Sequence, residues 1–206
     1  MKYSKELYNN FSKSKVFSLR DVRIFFKNKD LSNDYSKVLV SNLLKSNKLN
    51  KITKGKYTFK DEIMNVGFSF SPFYYGLQEA LSFHNLHMQE TNPIIITLNK
   101  IKPGVRKIMN TNVYLRRINK KYFFGFNFIE YNDFQIPVSD VEKTIIDLVY
   151  YKEPISKEVI HEIKKIINKD KLLNYLEIYP PFISRKVLLL LDIHSKDIHN
   201  HIEKHI

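Results

Sequence analysis

The residue types best suited to chemistry gather at Ser139-Asp140-Val141-Glu142-Lys143, with Asp147 one helical turn beyond. Asp140, Glu142 and Lys143 are the ingredients of a metal-dependent nuclease. Such a site needs Glu-x-Lys on a strand, whereas here Glu142 and Lys143 are adjacent in a helical pattern. Ser139 followed three residues later by Glu142 has the spacing of a capping box, in which each side chain accepts the other residue's backbone N–H. The expectation is a capped helix from Ser139 to about Tyr151, with Glu142 as the cap partner. Asp147 is expected as a buried or half-buried structural acid.

Other catalytic and cofactor chemistries lack their residues. The five Gly, at positions 55, 67, 76, 104 and 125, form neither a Walker loop nor a G-x-G-x-x-G turn. His161-Glu162 begins like a zincin motif, but Lys165 stands where the second His is required. His201 and His205 share a helix face, yet two ligands do not close a metal site. No Cys is present, so no disulfide, thiolate zinc site or Cys nucleophile is possible. No catalytic residue, metal or cofactor is assigned, and the chain reads as a non-enzyme.

The remaining chemistry is electrostatic. The first sixty residues hold fifteen Lys and Arg against four acids, a net of +11, while the rest carries +2 of the total of +13. A basic block of this kind implies a polyanionic partner, with double-stranded DNA the default. A disordered tail would also be basic, but here apolar residues recur at helical spacing. Leu7 and Phe11 mark a first helix within Lys2–Lys13, and Ser18 caps a second bearing Leu19, Val22, Phe25 and Phe26. Asn33 or Asp34 can cap a third, which runs to about Ser46. Its buried stripe would be Val38, Leu39, Leu43 and Leu44. Tyr35, Ser36, Lys37, Ser41 and Lys45 fall off that stripe. After Asn47, a plausible left-handed cap, Leu49 and Ile52, a Lys54-Gly55 turn, and Tyr57 and Phe59 spell a hairpin. Three helices and a basic hairpin are the plan of a winged helix-turn-helix. The off-stripe residues of the third helix would face the major groove, and Lys51, Lys54 and Lys56 would meet phosphates.

The stretch from Leu43 to Tyr57, ending in Lys54-Gly55-Lys56-Tyr57, resembles the winged-helix signature of the AbiEi antitoxin family. Two later blocks add to the likeness in the same order. Gly67 to Leu86 resembles the family's tyrosine-rich strand end and following helix, with Glu79-Ala80-Leu81 matching and Asn85 in place of Gly. Ser139, Glu142, Lys143, Thr144 and Asp147 match the motif that opens a later helix. The resemblance covers roughly Phe17 to Tyr151. It implies autorepression of a toxin–antitoxin operon, linked to viral defence. It also implies counteraction of a nucleotidyltransferase-like toxin without a stable complex. The Gly-Ser turn and Asp-x-Asp pair of such a toxin are absent from this chain.

Ile94–Leu98, Val113–Ile118, Tyr122–Ile129 and Phe134–Val138 read as strands. Past Pro154 the pattern is helical near Ile155–Asn168, Lys171–Ile178 and Phe182–Ile193. Arg106-Lys107, Arg116-Arg117 and Lys120-Lys121 form a second basic set, which could extend a DNA footprint, meet an acidic partner or do neither. The fold class expected is α+β. A winged helix-turn-helix over residues 1–61 precedes a mixed α/β domain over 62–206, with a small sheet and C-terminal helices. Lys2, Tyr3, Ser4 and Lys5 lead into no apolar run, so no signal peptide is expected. No run is long enough to span a bilayer, and a cytoplasmic location is anticipated. A homodimer on its operator is compatible with this plan. The competing readings are a stand-alone regulator whose second domain binds a ligand or partner, and an enzyme with an unrecognised site.

Overall fold

Two sheets and eight α-helices alternate along the chain in a computed structural model that describes residues 3–27, 29, 31–86 and 91–193. The architecture is α+β. The N-terminal part runs α1 (Ser4–Phe11), β1 (Phe17–Ser18), α2 (Leu19–Lys27), α3 (Asn33–Lys45), β2 (Asn50–Thr53) and β3 (Lys56–Thr58). These strands pair antiparallel in the order β1-β3-β2. Leu7, Phe11, Val22, Phe26, Leu39, Leu43, Leu49 and Tyr57 close one core beneath the helices and this sheet. Helix α2 starts as its sequence demands: Ser18 Oγ accepts from the Asp21 N–H, and Asp21 Oδ2 accepts from the Ser18 N–H at 2.7 Å. Asn47 takes the left-handed conformation, φ 53°, that ends α3.

The second part opens with a 3-10 segment, Ile63–Phe70. It continues through β4 (Phe73–Tyr75), α4 (Gln78–Phe83), β5 (Ile94–Thr97), β6 (Gly104–Ile108) and β7 (Thr111–Arg117). A 3-10 turn at Lys120–Tyr122 leads to β8 (Phe126–Tyr131), β9 (Phe134–Ser139) and α5 (Val141–Tyr151). Helices α6 (Lys157–Ile166), α7 (Lys169–Leu176) and α8 (Pro181–Leu190) complete it. The six strands form one mixed sheet in the order β6-β7-β5-β4-β9-β8. Both of its faces are covered, so its central strands are apolar without alternation. Tyr74, Ile94 and Ile96 face a core made with α5–α8. Phe73, Tyr75 and Ile95 face another made with Met64, Val66 and Phe70.

Several expectations need correcting. The run Tyr122–Ile129 is not one strand. Gly125, at φ +70°, breaks it, and a Cβ there would lie 2.9 Å from both the Lys143 Cβ and the Tyr175 ring. Strand β6 escaped notice because Val105, Arg106 and Lys107 lack an apolar run. It exists through its hairpin with β7, turned by Met109 and Asn110, both at positive φ. The capping box at Ser139 does not form. Asp140 is the N-cap, accepting from the Lys143 N–H at 2.8 Å, while the Ser139 hydroxyl pairs with Thr144 Oγ1 at 2.7 Å. In α3 the cap is Ser32, not Asn33 or Asp34; its hydroxyl accepts from the Tyr35 N–H.

The two parts are joined by side chains as well as by chain. The register of β2 against β3 slips between Lys51 and Thr53, leaving Ile52 as the extra residue of a bulge. A bulge re-aims the side chain it carries. Leu49 and Ile52 serve different cores, and Ile52 packs with Met64 and Val66 of the second part. Lys15 lies over the Phe68 ring at 4.1 Å, and Lys60 pairs with Asp133 at 2.8 Å.

Candidate nucleic-acid interface

Helix α3 presents one clean exposed stripe. Ser36, Leu39, Val40 and Leu43 are buried, and Asp34, Lys37, Val38, Ser41 and Lys45 lie open on the opposite side. Two expected positions change places. Val38, assigned to the core, is 56% exposed, and Ser36, assigned to the groove face, is buried. The helical rotation that buries Leu39, Val40 and Leu43 together forces this exchange. Tyr35 also turns inward, edge-on to Tyr3 at 5.7 Å and to Phe26 at 6.3 Å. Lys37, Ser41 and Lys45 remain where the sequence placed them. Lys37 Nζ pairs with Asp34 at 2.9 Å, one turn back, and holds that carboxyl below the usual carboxylate range.

Helix α2 supplies cations that sequence reasoning missed. Arg20, Arg23 and Lys27 line a concavity of about 420 Å³ with Ile24 and with Ser32 and Asn33 at the start of α3. No acid lines it. The Arg23 guanidinium adds a smaller pull in the same direction on the Asp34 carboxyl. The signal was legible: Arg20, Arg23 and Lys27 recur at i, i+3 and i+7 opposite Val22 and Phe26. The concavity thus brings three cations together beside the polar start of α3.

The hairpin divides its lysines. Lys51 and Lys54 are exposed. Lys56, expected to meet phosphate, instead donates to the Ser69 carbonyl oxygen in the second part. The other basic set does not form one patch. Arg106 lies toward Phe70 on one face of the six-stranded sheet, and Arg116 pairs with Glu153 at 2.6 Å on the other. No protein-family model matches the chain, and no curated protein matches it.

The motif residues of the second part fall together around the start of α5, inside the protein. Lys143 and Asp147 have no exposed side-chain surface and form an ion pair. The Tyr74 hydroxyl donates to Asp147 Oδ2 at 2.7 Å and accepts from Lys143 Nζ at 3.0 Å. The ammonium lies within 6 Å of the Tyr74, Phe124 and Tyr179 rings. Burial pushes the Asp147 carboxyl up and the Lys143 ammonium down, and each charge opposes the shift in the other. Glu142 accepts from the Asn168 N–H at 2.8 Å and pairs with Lys171, tying α5 to the start of α7. Ser139, Glu142, Lys143 and Asp147 thus join elements and offer no open chemistry.

Among the described residues no three His, Asp or Glu converge as metal ligands, and no helix is long and apolar enough to cross a membrane. His201 and His205 lie outside the described residues.

Proposed function

We propose that this chain is a sequence-specific DNA-binding regulator. Its N-terminal unit would be a winged helix-turn-helix, with α3 in the major groove and the β2–β3 hairpin along phosphates. The observation that supports this reading is that three elements of the N-terminal part each expose cations with no acid among the residues lining the α2 concavity. Arg20, Arg23 and Lys27 of α2 share a concavity with the start of α3, whose exposed side carries Lys37, Ser41 and Lys45, and the hairpin exposes Lys51 and Lys54. Lysines and arginines there release counterions from the duplex. Val38 and Ile24, exposed on α3 and α2, suit thymine methyl groups. The test is footprinting on the DNA upstream of its own gene, with wild type against Lys37→Ala/Lys45→Ala. Protection of one site by the wild type and its loss in the variant is the expected result. No site-specific protection would defeat the proposal.

The resemblance to AbiEi antitoxins makes the regulated operon one that also encodes a nucleotidyltransferase-like toxin, opposed without a stable complex. Residues 62–206 would carry that activity and residues 1–61 the operator binding. A stand-alone regulator is the second reading, favoured by a cleft of about 280 Å³ in the second part between Gln78, Tyr114, Arg116 and Glu153. Co-expression with a neighbouring toxin gene separates the two. Rescue of growth supports the antitoxin, and failure of rescue leaves the regulator.

A further inference from the structure

A cleft of about 710 Å³, the most spacious of those described, opens between α1, the end of α3 and the strand following the hairpin turn. Its volume falls in the range of small-molecule sites. Lys5 and Lys48 supply two exposed ammonium groups at its rim, and no acid lines it. Among the described residues neither lysine has an ion-pair partner, and Glu6, the one acid of α1, is drawn away to Lys29. Tyr8 and Phe59 form an aromatic wall, edge-to-face with centroids 5.3 Å apart, and Tyr8 is 53% exposed. Asn42 of α3 and its C-cap Ser46 add polar groups to the lining.

We infer that this cleft binds a ligand joining a flat ring to a phosphate: a nucleotide, either free or as one unit of a single strand. A ring laid against Tyr8 and Phe59 gains stacking that any base can supply. Its phosphate reaches Lys5 or Lys48, both lacking a competing carboxylate. The Ser46 hydroxyl, which donates to the Leu43 carbonyl, keeps acceptor capacity toward the ring edge or sugar. The inference does not depend on duplex recognition. The cleft is lined by Asn42 and Ser46, each one residue round the helix from Ser41 and Lys45.

The test is calorimetric titration of the full chain, without duplex DNA, with AMP, phenyl phosphate, butyl phosphate and inorganic phosphate. Saturable AMP binding is expected, with butyl phosphate and inorganic phosphate at least tenfold weaker than phenyl phosphate. Tyr8→Ala and Lys48→Ala should each weaken AMP by about tenfold, the scale of one base stack or one charged contact. Both residues are exposed, so the variants should fold, as circular dichroism will report. Lys120→Ala, far from the cleft in sequence and equally exposed, should leave binding unchanged. No AMP binding at millimolar concentration, butyl phosphate as tight as phenyl phosphate, or equal weakening by Lys120→Ala would each overturn the inference. Tetrathymidylate binding more tightly than thymidine monophosphate identifies a strand as the source. The reverse order identifies the free nucleotide. Either supports the site.

Discussion

Lys143 and Asp147 sit one turn apart on α5 and form an ion pair from which water is excluded, closed by the hydroxyl of Tyr74 on the central strand β4. The helix is thereby fastened to the sheet by charge as well as by Ile145, Ile146 and Leu148. Desolvating two ions is expensive, and such a pair is tolerated when its remaining hydrogen-bond positions are filled. Removing one partner strands the other. Asp147→Ala or Lys143→Ala should cost about 3–5 kcal/mol in chemical denaturation. Lys143→Met with Asp147→Leu should cost less than the two single changes added together. Additive losses would show that the pair does not act as a unit.

Alkali should unfold this protein cooperatively. Burial holds the phenols of Tyr74, Tyr75, Tyr151 and Tyr179 above their ordinary value of 10.0. Tyr175 is pushed up to about 12 by burial and by its hydrogen bond to Asp140. A folded pKa above the unfolded one means the native state retains protons that the unfolded chain releases. Stability is therefore full below about pH 10 and falls as pH rises past it. Tyrosinate absorbance and loss of circular dichroism should appear in one coincident transition. Gradual ionisation with the fold intact would contradict this. Tyr175→Phe should flatten the slope between pH 10 and 12.

On the proposed DNA surface, base-reading and phosphate-holding residues should separate by salt. Lys37→Ala should weaken specific binding by about 1–3 kcal/mol if it reads a base. Arg20→Ala, Lys51→Ala and Lys54→Ala should weaken specific and non-specific DNA alike, each lowering the salt slope by roughly 1. Lys56→Ala, whose ammonium is engaged by the Ser69 carbonyl, should leave that slope unchanged. A slope lowered as much by Lys56→Ala as by Lys54→Ala would return Lys56 to the phosphate face.

A fragment ending at residue 61 leaves Ile52 without Met64 and Val66, and Lys15 without the Phe68 ring. It should be less stable and more prone to associate than its own closed core suggests, and Ile52→Thr should improve its solubility. In the full chain the same change removes a buried contact and should cost stability, by about 1–3 kcal/mol. Equal effects of Ile52→Thr in fragment and full chain would refute the shared packing.

Element order in the N-terminal part was legible because local signals coincide there: apolar periodicity, Ser18 as a cap, and Asn47 and Gly55, both at positive φ. Lys37, Ser41 and Lys45 were placed by helical periodicity alone. Ser36 and Val38 were not, because a buried Ser and an exposed Val invert the hydrophobic rule, and only packing against α1 and α2 fixes the rotation of α3. Lys56 was misplaced because its partner, the Ser69 carbonyl, lies in the second part, beyond what a hairpin pattern reveals, and the same holds for the core that Ile52 joins. The Ser139–Glu142 spacing was a real match to a cap motif, but Asp140 won the backbone N–H, and Glu142 was taken by Asn168 and Lys171.

The bulge at Ile52 has an evolutionary corollary. A hairpin whose residues are divided between two cores cannot be exchanged among proteins as a detachable cassette. A transplanted N-terminal unit would carry an isoleucine and a lysine that need a particular host. Natural relatives of this chain should therefore show compensating substitutions, in which the residue at 52 changes in step with those at 64 and 66, whereas positions 51 and 54 drift independently.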